Sequence, residues 1–246
     1  MKRREILKSG AAGIIASSSI GADVWRKSAE KMKILVTGAH PDDPETGCGG
    51  TIARYSQAGH DVTVLYLTRG EAGIPGTGHE EAAAIRTHEA EAACKILGAK
   101  PLFAGQVDGD TMVTNEWNKK IGSIIASEKP DIIFTQWPVD THRDHRACAL
   151  MVYDAWLYGG RKQAFYYYEV MTGSQTMNFN PTDYVDISGT IKRKWDACFV
   201  HESQKIRETY DQDHGKMEIF RGMEGGYQYA EAFVRLQQSK QGILPA

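Results

Sequence analysis

Two short segments of the 246-residue chain gather the side chains suited to metal and acid–base chemistry. One is Ala39-His40-Pro41-Asp42-Asp43-Pro44-Glu45; the other runs from Gln136 through Asp140, His142 and Asp144 to His145. Imidazole and carboxylate are natural ligands of a borderline cation such as Zn²⁺, and a catalytic zinc site keeps three protein ligands and one position for water. His40 and Asp43 can converge across a tight turn, and His145 supplies the third ligand if the segments are neighbours. Asp42 is then free to serve as general base toward water whose pKa the metal lowers to about 7. His142 and His145, three apart at a helix start, share a face. His142 is either a further ligand or, held by Asp144 or Asp140, a protonated group that stabilises the oxyanion of a tetrahedral intermediate.

The plainer reading of His-Pro-Asp-Asp is a capped turn, with Asp43 as N-cap of a helix over Thr46–Ala58. Capping explains one such segment. It does not explain two His/Asp-rich segments that each follow an apolar strand directly, where open parallel sheets bind their ligands.

The elements that must position these residues alternate. Lys33–Thr37 reads as a buried strand, Thr46–Ala58 as a helix and Asp61–Leu67 as the next strand, a β-α-β unit. A glycine-rich turn, Arg69–Gly78, leads into a helix over Glu80–Leu97 closed by Gly98, then a short strand at Lys100–Ala104. A helix over Asn115–Glu128 and a strand at Asp131–Thr135 follow, then a helix over His142–Tyr158. Strands are expected at Phe165–Val170 and Tyr184–Ile187, a long helix over Thr190–Tyr210, and a terminal helix over Ala230–Gln238. The pattern predicts an α/β, Rossmann-like three-layer sandwich with a largely parallel sheet.

Composition sets the limits. The chain is 41% apolar and 24% charged with 25 glycines, the proportions of an ordinary globular domain. Lys plus Arg (29) nearly balances Asp plus Glu (31), so no basic excess points to nucleic acid. No apolar run is long enough to span a membrane. Cys48, Cys94, Cys148 and Cys198 form no C-x-x-C pair and read as buried hydrophobes. Gly47-Cys48-Gly49-Gly50 lacks the G-x-G-x-x-G order of a dinucleotide site. Trp137 and Tyr166–Tyr168 read first as packing, with a sugar platform as the alternative. His201 reads as a packing residue within a helix.

Residues 1–31 read as an address and linker, leaving 32–246 as one domain. Arg3-Arg4-x-Ile6-Leu7-Lys8 ahead of the weakly apolar stretch Ser9–Ala22 resembles a twin-arginine export signal, with Ser19-Ile20-Gly21 as a small-x-small cleavage site. The expectation is a periplasmic protein; the alternative is a basic tail on a cytoplasmic one.

Ala39-His40-Pro41-Asp42-Asp43 with Gly49-Gly50-Thr51, and Asp140-x-His142-x-Asp144-His145, resemble the LmbE-like, or PIG-L, zinc-dependent de-N-acetylases. The likeness covers most of the chain from Lys33 onward. It includes Leu67-Thr68-Arg69-Gly70-Glu71, Ile85-Arg86, Tyr184–Ile187, His201-Glu202-Ser203-Gln204 and Ala230–Phe233. The resemblance implies zinc on His40, Asp43 and His145, Asp42 as general base, His142 as the polarising or protonating group and Asp144 as its orienter. It also implies Arg86 and Asp108 on the sugar of an N-acetylglucosamine-type substrate. One departure is that Pro44 stands where many members carry Glu, and Glu45 follows, which leaves that carboxylate's role open. The mechanism implied is attack of metal-activated water on the acetamide, with a bell-shaped pH profile because Asp42 must be ionised while His142 stays charged. Two other readings stand beside it: a metal-dependent hydrolase of another amide or ester, and a non-catalytic zinc- or carbohydrate-binding protein. A homo-oligomer is compatible with the sequence.

Overall fold

The computed structural model describes residues 31–245; the expected export signal lies outside the described residues. Seven strands form one sheet: β1 (Lys33–Gly38), β2 (Asp61–Tyr66), β3 (Lys100–Phe103), β4 (Ile132–Gln136), β5 (Ala164–Tyr168), β6 (Asp183–Asp186) and β7 (Ala230–Arg235). Their order is β3-β2-β1-β4-β5-β7-β6. β1 to β5 pair in parallel, whereas β7 runs antiparallel to both β5 and β6. The inner strands are buried along nearly their whole length, so their sequences read as continuous apolar runs without alternation.

Helices cover both faces, as a parallel sheet requires. α1 (Asp43–Gln57), α2 (His79–Leu97) and α5 (Ile191–Phe199) pack together on one side, and α3 (Asn115–Glu128) and α4 (Arg143–Tyr158) on the other. Beneath α3 and α4 the core joins Leu35, Leu65, Ile133 and Phe165 to Ile121, Ile125 and Trp156. Gly98, at φ 73°, ends α2 in the left-handed cap that glycine enters without steric cost. All four cysteines are free and buried. Among the described residues, no helix is long and apolar enough to cross a membrane.

The C-terminal third departs from expectation. The expected helix over Thr190–Tyr210 ends at Phe199; a 3₁₀ turn (Glu202–Gln204) and α6 (Ile206–Thr209) follow, with Lys205 between them at φ 54°. A further helix, α7 (His214–Gly225), packs against β7 and β6. The expected terminal helix over Ala230–Gln238 is instead strand β7 at Ala230–Arg235. Ala-Glu-Ala favours helix locally, but the slot between β5 and β6 supplies hydrogen bonds along both edges, and tertiary context overrides so weak a preference.

The sheet has its topological switch between β1 and β4, which pair directly with Ile34 opposite Ile132 and Val36 opposite Phe134. The loops after these two strands therefore open side by side, the place where such sheets bind ligands. Both His/Asp segments sit there.

Candidate metal centre and its cleft

Gln136 at the end of β4 ties the two loops together, its Oε1 accepting the Ala39 N–H at 2.9 Å. The first loop turns sharply into α1. Asp42, the N-cap, lies at φ 112°, a strained conformation for a residue with a side chain. Pro44 falls in the first helical turn, where its missing N–H costs nothing. Glu45, one turn in, accepts the Asp42 N–H at 3.1 Å and the Tyr66 hydroxyl proton, so the displaced carboxylate steadies the strained turn.

Asp43 stands between the two segments. Its Oδ2 lies 3.2 Å from His40 Nδ1 and its Oδ1 3.2 Å from His145 Nε2. The His40 and His145 ring centroids are 5.4 Å apart, and His142 is 4.7 Å from each. Ligand atoms of His40, His142 and His145 lie within 4.8 Å of one another, and so do those of His40, Asp108 and Asp144. These imidazoles and carboxylates, buried except for the half-buried His142, suit a divalent ion. His145 Nδ1 faces Asp140 at 3.2 Å, which turns Nε2 inward, the arrangement that commonly aims a metal-binding histidine.

The charges are interlocked. Burial alone would raise Asp43, but His145 and His40 hold it well below the usual carboxylate range. Burial alone would lower His145, yet Asp43 and Asp140 push it up to about 9, and Asp108, Asp144 and Asp43 likewise raise His40. Asp42 is pushed up to about 6 by burial, against the downward pull of Arg86.

Two roles differ from expectation. The Asp144 carboxylate does not reach the His142 ring: it accepts from Thr111 Oγ1 (2.6 Å) and the Gly109 N–H (2.8 Å) and sits 3.2 Å from His40 Nε2. What orients His142 is the backbone N–H of Asp144, which donates to its Nδ1 at 3.3 Å and leaves the ring proton on Nε2. Burial and the neighbouring His40 and His145 lower the pKa of His142. Arg86 is only 3% exposed, and its Nη2 pairs with Asp42 Oδ2 (2.9 Å) and the Pro41 carbonyl (2.5 Å). Its guanidinium is thus engaged with Asp42 at the cleft wall. Asp108 also lines the cleft, with its Oδ1 3.0 Å from His40 Nε2.

The cleft above these groups encloses about 450 Å³, a volume suited to a sugar. Gln175, Gln204 and His214 also line it, and none was singled out as a site residue from sequence. Each belongs to the C-terminal region whose elements were least legible. His201 is fully buried, with Nε2 3.7 Å from Glu45 Oε1, and lies just after α5, outside any α-helix. The tyrosines of β5 are packing residues: Tyr166 stacks on Phe134, and the Tyr168 hydroxyl donates to the Thr37 carbonyl.

Residues 35–156 match the family described as PIG-L: GlcNAc-PI de-N-acetylase. The diacetylchitobiose deacetylase of Thermococcus kodakarensis is 32% identical over 219 residues, 81% of this chain and 81% of that one. The structure of N,N'-diacetylchitobiose deacetylase from Pyrococcus horikoshii superposes with a TM-score of 0.76 at 24% identity, over 90% of this chain and 94% of that one. GalB, the 4-carboxy-2-hydroxymuconate hydratase of Pseudomonas putida KT2440, superposes at 0.74 with 20% identity, covering 87% of this chain and 99% of its own. The fold is thus shared by different chemistries, and the reaction has to be read from the site. The His/Asp cluster at the β1–β4 switch and the relationship along most of its length place this chain in the PIG-L, or LmbE-like, family as an amidohydrolase of the deacetylase type.

Proposed function

We propose that the protein is a zinc-dependent de-N-acetylase that hydrolyses the acetamide of an N-acetylglucosamine-type sugar, releasing acetate and a free amine. The observation that carries this reading is Asp43 in contact with both His40 and His145 on the cleft wall, with Asp42 beside it. The diacetylchitobiose deacetylase relative supports the sugar. His40, Asp43 and His145 would hold the ion, and bound zinc supplies a Lewis acid that also lowers the pKa of water in the site.

Asp42 takes a proton from the attacking water at its carboxylate, which Arg86 helps keep ionised. It then returns that proton to the departing nitrogen, so acetate and amine leave with the water accounted for. His142 presents Nε2–H to the acyl oxygen as a neutral donor, a role that needs no net charge. Asp144 fixes His40 through its carboxylate and His142 through its backbone. Asp108 reaches the sugar from the same wall.

The test is acetate release from N,N'-diacetylchitobiose by purified, zinc-loaded protein. Release that disappears in Asp42→Asn while zinc stays bound supports the reading. Turnover of simple esters alone would instead indicate a hydrolase of another acyl class.

A further inference from the structure

One fully buried side chain takes no part in the proposed chemistry. His201 is 0% exposed, and among the described residues neither of its ring nitrogens makes a hydrogen bond; its ion-pair contact is Glu45, with Nε2 3.7 Å from Oε1. A buried imidazole without hydrogen bonds costs stability, so its presence points to a task other than holding the fold. It opens the segment His201-Glu202-Ser203-Gln204, a 3₁₀ turn closed by Lys205 at φ 54°. Three side chains of this segment reach toward the cleft wall.

Their contacts converge on Asp42 from two sides. Glu45, which faces His201, accepts the Asp42 N–H at 3.1 Å through Oε2, on the backbone side. Ser203 donates its N–H (2.8 Å) and its hydroxyl (2.7 Å) to the two carboxylate oxygens of Glu89. Glu89 lies three residues beyond Arg86 in α2, so the two share a helix face, and Arg86 Nη2 grips Asp42 Oδ2 at 2.9 Å on the carboxylate side. Gln204 Nε2 donates to the Gly73 carbonyl at 3.2 Å. Gly73 lies against the same guanidinium, and the Ala72 N–H before it reaches Asp108 at 3.2 Å.

Resting on the deacetylase reading, we infer that the His201–Gln204 turn positions the general base: it clamps the Asp42 backbone through Glu45 and the Asp42 carboxylate through Arg86, so that the base is aimed before water and substrate arrive. Neither His201 nor Ser203 lines the cleft, and both act as positioning residues. Asp42 needs such support because it lies at φ 112°, a conformation that persists only where the surroundings over-determine it. A misplacement of about 1 Å, caused by a change far from the reacting atoms, can cost about 100-fold in rate.

The experiment assays zinc-loaded protein on N,N'-diacetylchitobiose and, in parallel, follows hydrogen–deuterium exchange of the metal-free protein over residues 39–46. His201→Gln and Glu89→Ala are expected to lower kcat about tenfold or more, with KM and zinc stoichiometry within about twofold of wild type, and to speed exchange in that segment. Glu89→Gln, which keeps acceptors for Ser203, should recover most of the rate. The loss in His201→Gln should vanish in a Glu45→Ala background, because the imidazole acts through that carboxylate. If Glu89→Ala does not fold, Ser203→Ala removes one of the two bonds and takes its place. Wild-type kcat in both variants overturns the inference, as does a fall carried by KM or by zinc content, or additive losses from His201→Gln and Glu45→Ala. No acetate from the wild type overturns the deacetylase reading instead, and unchanged exchange in the variants then overturns the clamp as well.

Discussion

Asp42 and Arg86, 44 residues apart in sequence, form an ion pair of 2.9 Å at the wall of the cleft. The partnership works against desolvation, which pushes the Asp42 carboxyl up to about 6. Without the guanidinium the carboxyl would rise further. In its proposed role as base, Asp42 gives an acid limb in which kcat/KM falls as pH drops through about 6. Arg86→Met removes a charge that lowers the pKa, so the limb should move to higher pH, with Arg86→Lys in between. Rate profiles from pH 4.5 to 9 check this, and an unmoved limb in Arg86→Met would remove Asp42 from the role of base.

Gly70 and Gly73 make room for that arginine. A Cβ at either would fall 2.5 Å or 2.2 Å from Arg86 Nη1, and Gly70 sits at φ 72°, where a side chain is strained. Gly73→Ala should therefore reproduce the raised acid limb of Arg86→Met while leaving zinc stoichiometry intact, as titration beside metal analysis would reveal.

In the proposed zinc site, metal and protons compete for the same nitrogens. His145 is pushed up to about 9 and His40 is raised by its carboxylate neighbours, whereas a metal ligand must be deprotonated. Zinc binding should release protons at pH 7 and weaken as pH falls. Calorimetry in buffers of different ionisation enthalpy counts them. His145→Ala should lose the metal, and Asp42→Asn should keep it.

Glu45 steadies the strained turn, its Oε2 accepting the Asp42 N–H at 3.1 Å. Glu45→Gln keeps an acceptor for the Asp42 N–H but leaves buried His201 without its carboxylate. Outer-shell losses of this kind typically cost about 10–100-fold in activity or metal affinity. Glu45→Ala should cost more than Glu45→Gln, measured as kcat with zinc content determined in parallel; equal activity in both variants and wild type would make the contact incidental.

Lys194 carries stability. It is 2% exposed and lies 2.8 Å from Glu231 and 3.0 Å from Glu218, joining α5 to β7 and α7. Glu231 also accepts the Gly50 and Thr51 N–H groups of α1, the helix that begins at the metal loop. Lys194→Met strands two buried carboxylates and should destabilise the fold by about 3–5 kcal/mol, since breaking a buried pair leaves uncompensated charge. Urea titration measures it.

The parallel half of the fold was legible because each of its elements carries its own signal. The strand at Lys33–Gly38 is a buried apolar run, the helix at His79–Leu97 is closed by a glycine, and α3 shows Ile121 and Ile125 on one face. The C-terminal third was not, because β7 is a strand only by virtue of the gap it fills. Helix α5 stops where His201 is drawn in beside Glu45, a partner 156 positions earlier in the chain.

For the site, the sequence alone determined which residue types meet: histidines and aspartates in two loops that follow apolar strands, with the spacing of a metal centre. Local residue chemistry and strand periodicity suffice for that. The tertiary structure decided the partnerships. Asp144 serves His40 by its side chain and His142 by its backbone, Arg86 holds Asp42, and Gln175, Gln204 and His214 complete the cleft. Hydrogen bonds are set by angstrom distances between segments far apart along the chain, and no local pattern of residues encodes them.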